Sequence, residues 1–105
     1  MQRSFSKKKL YDLRKHFKKR MRTRFNLELN RFDLRELIEY FQQHRVFIRK
    51  ESNMKSWWFL HHRNRRMFLL YDNHRNEFIT VYTLRMMIES SELKNLSFDP
   101  SNYKT

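Results

Sequence analysis

The hydrophobic period of this chain changes once, near residue 45, and that change constrains the fold more than any other feature of the sequence. Before it, apolar residues such as Leu10, Leu13 and Phe17 recur at helical spacing, and residues 7–25 contain no proline or glycine. After it, short runs rich in aromatic and β-branched residues alternate with polar turns, which is typical of strands. Because the turns are short, successive strands must pair antiparallel.

We therefore predict an α+β fold, in which two amino-terminal helices pack on a four-stranded antiparallel meander sheet and a short carboxy-terminal helix and tail follow. Residues 1–105 are expected to form a single domain, with 1–6 as an extension and 93–105 as a tail. The predicted helices are 7–25, 33–44 and 84–92, and the predicted strands are 46–51, 56–62, 66–72 and 77–83.

The turns also predict how the strands pair. If Asn64 and Arg65 form a two-residue hairpin turn, Arg63 pairs with Arg66. If residues 73–76 form a four-residue loop, Asp72 pairs with Glu77 and the pairing continues in step along both strands.

This pairing sorts the strand residues into two faces. The face expected to pack under the helices is mostly aliphatic and consists of Phe59, Phe68, Leu70, Ile79 and Val81. The opposite face carries hydroxyl groups and an imidazole, and it consists of Trp58, His62, Tyr71, Thr80 and Tyr82 beside Leu60, Met67, Leu69 and Phe78.

Positive charge is concentrated in the first helix. Eleven of the 24 lysines and arginines lie in the first 25 residues, where Asp12 is the only acidic residue, and the chain has a formal net charge of +13. Several cations on one element are what binding to nucleic-acid phosphates requires, so RNA or DNA is the expected partner. The residues predicted to bind it are Lys7, Lys8, Lys9, Lys15, Lys18, Lys19, Arg22, Arg49 and Lys50.

Two other interpretations of this charge are available. The basic face can simply be solvated, or it can meet an anionic membrane surface. The membrane is disfavoured because the apolar stripe of the helix is narrow and is needed for the protein's own core.

Composition excludes several functions. The chain contains no glycine and no cysteine, so it has no P-loop, no dinucleotide fingerprint, no disulfide and no thiol nucleophile. Adjacent strand residues such as His61 and His62 point to opposite faces and cannot grip one ion, so neither a metal nor another cofactor is expected. No apolar run is long enough to span a membrane and the amino terminus does not resemble a secretion signal, so we expect a cytoplasmic protein.

A candidate catalytic ridge lies on the first helix, where His16, Arg20 and Arg24 follow one another at intervals of four residues. A histidine can exchange a proton near neutral pH, and a neighbouring arginine can stabilise a phosphorane, which together allow RNA to be cleaved by its own 2′-hydroxyl without a metal. The alternative is that a helix with this many cations contains such a ridge by accident.

The order of segments resembles the RelE-like and colicin-nuclease-like endoribonuclease superfamily, also called BECR, and in particular its small phage- and plasmid-borne members of unknown function. The similarity is carried by the ridge, by residues 47–53, by Trp57-Trp58, by residues 71–75 and by the Ile-Thr-Val of residues 79–81. It implies metal-independent RNA cleavage by residues on the exposed sheet face and helix edge, and an antitoxin or another acidic protein as a partner. The residues it nominates are His16, Arg20, Arg24, Arg49, Tyr71 and Thr80, with Tyr82 as a further candidate.

The function expected from these observations is that of a nucleic-acid-associated basic protein, with metal-independent endoribonuclease activity on RNA. His16 is then the general acid or base, Arg20 and Arg24 bind phosphate, and Thr80 or Tyr71 orients the substrate. Two alternatives stay open: a non-catalytic RNA or DNA binder, and a phage structural or host-takeover protein that places the basic helix on an acidic protein.

Overall fold

The computed structural model describes residues 7–90, with side chains from residue 9 onward, and this part of the chain forms three helices and one sheet. The helices are α1 (Lys7–Phe25), α2 (Arg31–His44) and α3 (Leu84–Glu89), and the strands are β1 (Val46–Lys50), β2 (Lys55–His62), β3 (Arg65–Asp72) and β4 (Glu77–Tyr82). The strands are antiparallel and lie in the order β1-β2-β3-β4, which confirms the predicted α+β meander. The predicted extension at 1–6 and the predicted tail at 93–105 fall outside the described residues.

The first helix has the predicted bounds, whereas α2 begins two residues earlier than predicted. Its cap is Asn30: the Asn30 side chain accepts a hydrogen bond from the Asp33 amide at 2.8 Å, and the Asp33 carboxylate accepts one from the Asn30 amide at 3.1 Å. Asp33 is thus the third residue of the helix and closes a capping box, instead of starting the helix itself.

The hairpin between β2 and β3 turns one residue earlier than predicted. Its central residues are Arg63 and Asn64, with φ angles of 51° and 61°, as a type I′ turn requires. His62 therefore lies opposite Arg65, and the predicted pairing of Arg63 with Arg66 is wrong. The Arg63 guanidinium lies 3.5 Å from the Glu36 carboxylate, so the turn is also tied to α2.

The helices pack on the opposite sheet face from the one predicted. Ring contacts explain the choice, because Phe17 of α1 stacks on Phe78 and Phe41 of α2 packs against Tyr71, in each case with ring centroids 4.8 Å apart. The buried strand residues on this helix-facing side are Leu60, Met67, Leu69, Tyr71, Phe78 and Val81.

A bulge in β4 moves Val81 to that face. Tyr71 lies opposite Phe78 but Leu70 lies opposite Thr80, so Ile79 is an extra residue on β4. The pairing predicted across residues 73–76 is correct as far as Tyr71 and Phe78 and is wrong beyond them. Beyond the bulge, Thr80 shares the other face with Leu70.

That other face packs under α3. Met87 of α3 is 1% exposed and contacts a second buried cluster that contains Trp57, Phe59 and Phe68. The Thr83 side chain caps α3 by accepting a hydrogen bond from the Met86 amide at 3.2 Å. The sheet therefore lies between α1 and α2 on one side and α3 on the other.

The basic helix lies along the edge strand β4 and runs parallel to it. Arg14 in the middle of α1 bonds to Glu77 at the start of β4, and Arg24 near the end of α1 bonds to the carbonyl of Val81. About 15 Å of helix separates the two arginines, and about 13 Å of strand separates their partners. This alignment holds one flank of α1 against the sheet and leaves its other flank facing the start of α2.

Candidate nucleic-acid interface

A cationic groove lies between α1 and the segment that leads into α2. Its volume is about 730 Å³, within the range of small-molecule and cofactor pockets. Its floor is apolar and is formed by Leu10, Leu29 and Leu34. The remaining lining residues are Tyr11, Arg14, Lys15, Lys18, Lys19, Arg22, Glu28 and Arg31.

Helix geometry and a sharp turn build this groove. Tyr11, Lys15, Lys18 and Arg22 follow at intervals of four, three and four residues, which places them in one row on α1. The helix ends at Phe25 and is followed by Asn26, whose φ of 52° is left-handed and whose amide donates to the Arg22 carbonyl at 3.0 Å. The chain then doubles back, so the start of α2 forms the second wall.

The positive charge of the groove is largely uncompensated. Within the described residues, no carboxylate lies within ion-pair distance of Lys15, Lys18, Lys19 or Arg22. Glu28 is the one acidic side chain among the lining residues. Six cations line this concavity, and such a cluster produces a potential that attracts polyanions.

Arg14 differs from the other lining cations because its charge is paired with the Glu77 carboxylate. Its Nε donates a hydrogen bond to Glu77 Oε1 at 2.6 Å, and the Glu77 side chain is buried. That hydrogen bond raises the pKa of the Arg14 guanidinium, while partial burial opposes the rise. Arg14 anchors α1 to β4 and contributes less free charge to the groove.

The predicted catalytic ridge lies on the other flank of α1, which follows the β4 edge. Arg24 Nη1 donates to the Val81 carbonyl at 2.7 Å and to Thr80 Oγ1 at 3.3 Å, and the guanidinium lies 5.6 Å from the centroid of the Tyr82 ring. Burial lowers the pKa of Arg24, and the neighbouring charge of Arg20 lowers it further. Arg24, Thr80 and Tyr82 thus form one rim. Arg20 and His16 precede Arg24 by one and two helical turns on α1, where Arg20 is half-buried and His16 is exposed.

Tyr71 is separated from that rim. Its side chain is 1% exposed and belongs to the core under the helices, whereas Thr80 lies on the other face of the sheet. The Tyr71 hydroxyl donates to Asn76 Oδ1 at 3.3 Å, and burial raises the pKa of this hydroxyl. The geometry assigns Tyr71 a place in the core.

The predicted nucleic-acid-binding residues are divided between several places. Arg49 and Lys50 lie on β1, at the opposite edge of the sheet from β4, and Arg49 pairs with Glu51 at 2.7 Å. Lys9 is exposed but is absent from the groove lining, and the side chains of Lys7 and Lys8 lie outside the described residues. The groove brings together Lys15, Lys18, Lys19 and Arg22.

Besides the three leucines of the floor, four lining residues were not predicted as site residues: Tyr11, Arg14, Glu28 and Arg31. The helical spacing of Tyr11 and Arg14 relative to the lysines was a usable signal. Glu28 and Arg31 carried no such signal, because only the turn after α1 brings them to the opposite wall.

Comparison of the chain with models of known protein families, with curated proteins and with solved structures finds no match. Within residues 7–90, no helix has both the length and the apolar character that crossing a membrane requires. The same residues contain no cluster of three His, Asp or Glu side chains that could hold a metal ion. The functional interpretation therefore depends on the groove and on the rim.

Proposed function

We propose that this protein binds nucleic acid, with RNA as the preferred polymer, through the groove between α1 and the start of α2. The observation that carries the proposal is the row of cations Lys15, Lys18, Lys19 and Arg22, none of which has a carboxylate partner within the described residues. Phosphate binding releases condensed counterions and is driven by such unpaired cations. A cytoplasmic location, where RNA is abundant, belongs to the same proposal.

Salt dependence of binding tests this proposal. Fluorescence anisotropy with a labelled RNA of about 12 nucleotides should show affinity falling linearly with salt on a log–log plot. Each phosphate contact on a single strand contributes about 0.7 to the slope. The triple variant Lys15→Gln, Lys18→Gln and Lys19→Gln should therefore lower the slope by about 2.

A matched control removes three exposed charges elsewhere, through Lys50→Gln, Lys55→Gln and Arg85→Gln. Both variants have the same net charge, so a simple effect of total charge would change them equally. The control should keep a slope close to that of the unmodified protein. Equal loss in both variants, or binding that does not respond to salt, would refute the groove as the site.

A second proposed function is RNA cleavage at the rim, favoured by the hydrogen bonds that hold Arg24 on Thr80 and Val81. His16 and Arg20 precede Arg24 at intervals of four residues on the same helix. In this mechanism His16 takes the proton from a ribose 2′-hydroxyl, and the 2′-oxygen attacks the adjacent phosphorus. The bond from phosphorus to the 5′-oxygen breaks, which leaves a cyclic phosphate and a 5′-hydroxyl after that oxygen gains a proton. Arg20 stabilises the charge on the phosphorane.

Incubation of the protein with labelled RNA in EDTA tests this second function. Cleavage is expected, and His16→Ala should reduce its rate about 100-fold or more, because general acid–base catalysis contributes about 10² to 10⁴. His74→Ala is the matched control, since His74 is also exposed but lies in the loop between β3 and β4. Undiminished cleavage after His16→Ala would remove the assignment, whereas absence of cleavage with intact binding would leave the groove as a binding site alone.

A further inference from the structure

The groove has a cationic surface and an apolar surface, and only the cationic surface is needed to bind a phosphate backbone. Its cations suit phosphates, but its floor of Leu10, Leu29 and Leu34 is apolar. A duplex presents phosphates and sugars on its outside and keeps its bases stacked inside. The apolar floor therefore suits a ligand whose bases are exposed.

Tyr11 also favours a ligand with exposed bases. Tyr11 lines the groove and is 65% exposed. Its ring is therefore available to a ligand, whereas Phe17 and Met21 of the same helix are buried in the core. Lys15 and Lys18 follow it by one and two helical turns on the same face of α1. An exposed ring beside a row of cations is the arrangement with which single-stranded nucleic acids are bound, since the ring stacks a base and the cations hold the neighbouring phosphates.

We propose that the groove binds single-stranded nucleic acid, with one base stacked on Tyr11 and the phosphates that follow it held by Lys15, Lys18 and Arg22. This inference rests on the proposed binding function and specifies the form of the polymer. The row from Tyr11 to Arg22 extends about 16 Å along α1, so the site accommodates a few nucleotides. Base sequence is read weakly, because every base offers a face for stacking.

Three ligands of equal length separate the contributions of bases and phosphates: a single-stranded RNA of about 12 nucleotides, the same strand in a duplex, and an abasic ribose-phosphate strand. The single strand should bind more tightly than either of the others. Tyr11→Ala should weaken binding of the single strand by about 5- to 150-fold and leave binding of the abasic strand unchanged. Tyr11→Phe should retain most of the affinity, since stacking needs the ring and not the hydroxyl.

Phe32→Ala is the matched control, because Phe32 is 69% exposed but does not line the groove. Its affinity for the single strand should stay within twofold of that of the unmodified protein. The inference is overturned if Tyr11→Ala behaves like Phe32→Ala, or if the duplex or the abasic strand binds as tightly as the single strand. In those cases salt-dependent binding persists and the proposed function stands, whereas no binding to any of the three ligands removes both.

Discussion

At the scale of single residues, the arginines and lysines of α1 divide into cations that the fold uses and cations that remain free. Arg14 and Arg24 each bond to β4 and so fix the helix on the edge of the sheet. Lys15 and Lys18 have no such partner among the described residues. Composition alone does not make this distinction, because all four residues contribute equally to the net charge.

A prediction at this scale concerns His62, whose ring centroid lies 4.8 Å from that of Tyr40. Burial lowers the pKa of His62 below its ordinary value of 6.5, the charges of Arg63 and His61 lower it further, and Glu36 opposes the shift. The unfolded chain therefore takes up a proton more readily than the folded chain, and the stability present above about pH 6.5 falls as the pH drops through that value. His62→Gln should reduce this acid-side loss of unfolding free energy.

Urea denaturation at about pH 7.5 and about pH 5.5 measures the effect. The exposed His16→Gln variant is the control for removing an imidazole that lies outside the core. If His62→Gln shows the same loss as this control, His62 is not the group that is responsible.

At the scale of elements, the start of α2 depends on Asn30. This residue exchanges two hydrogen bonds with Asp33 and so satisfies amides that the first turn of a helix leaves free. Asn30→Ala should lower the free energy of unfolding by about 1 kcal/mol, and Asn30→Asp should retain most of it. Urea denaturation distinguishes the two variants, and equal stability of Asn30→Ala and the unmodified protein would contradict the role of the cap.

Most element types were predictable from sequence, because periodicity and turn composition are local properties. The α1 bounds and the four strands follow directly from them. The hairpin turn was predicted one residue too late, since Arg63 adopts a left-handed conformation that is uncommon outside glycine, asparagine and aspartate. The bulge at Ile79 was also missed, because Ile79 is a β-branched residue in a run that is typical of a regular strand.

At the scale of the whole molecule, Phe41 joins the helical layer to the sheet. Its side chain is fully buried and contacts the rings of Tyr71, Phe78 and Trp58. Phe41→Ala should cost about 3–5 kcal/mol, a large share of the about 5–15 kcal/mol that stabilises a typical domain. Phe32→Ala on the same helix should change stability by no more than about 0.5 kcal/mol, and thermal unfolding of the two variants provides the comparison.

The sequence by itself determined the elements and the location of the charge, because spacing, turn residues and formal charge are properties of neighbours along the chain. Only the tertiary structure decided which sheet face the helices cover, since that choice depends on how the rings of Phe17 and Phe41 fill space against Tyr71 and Phe78. It also decided which residues share a site. Tyr71 lies in the core and Arg49 at the far edge of the sheet, whereas Tyr11 and Arg31 line the same groove because the chain turns back at Asn26.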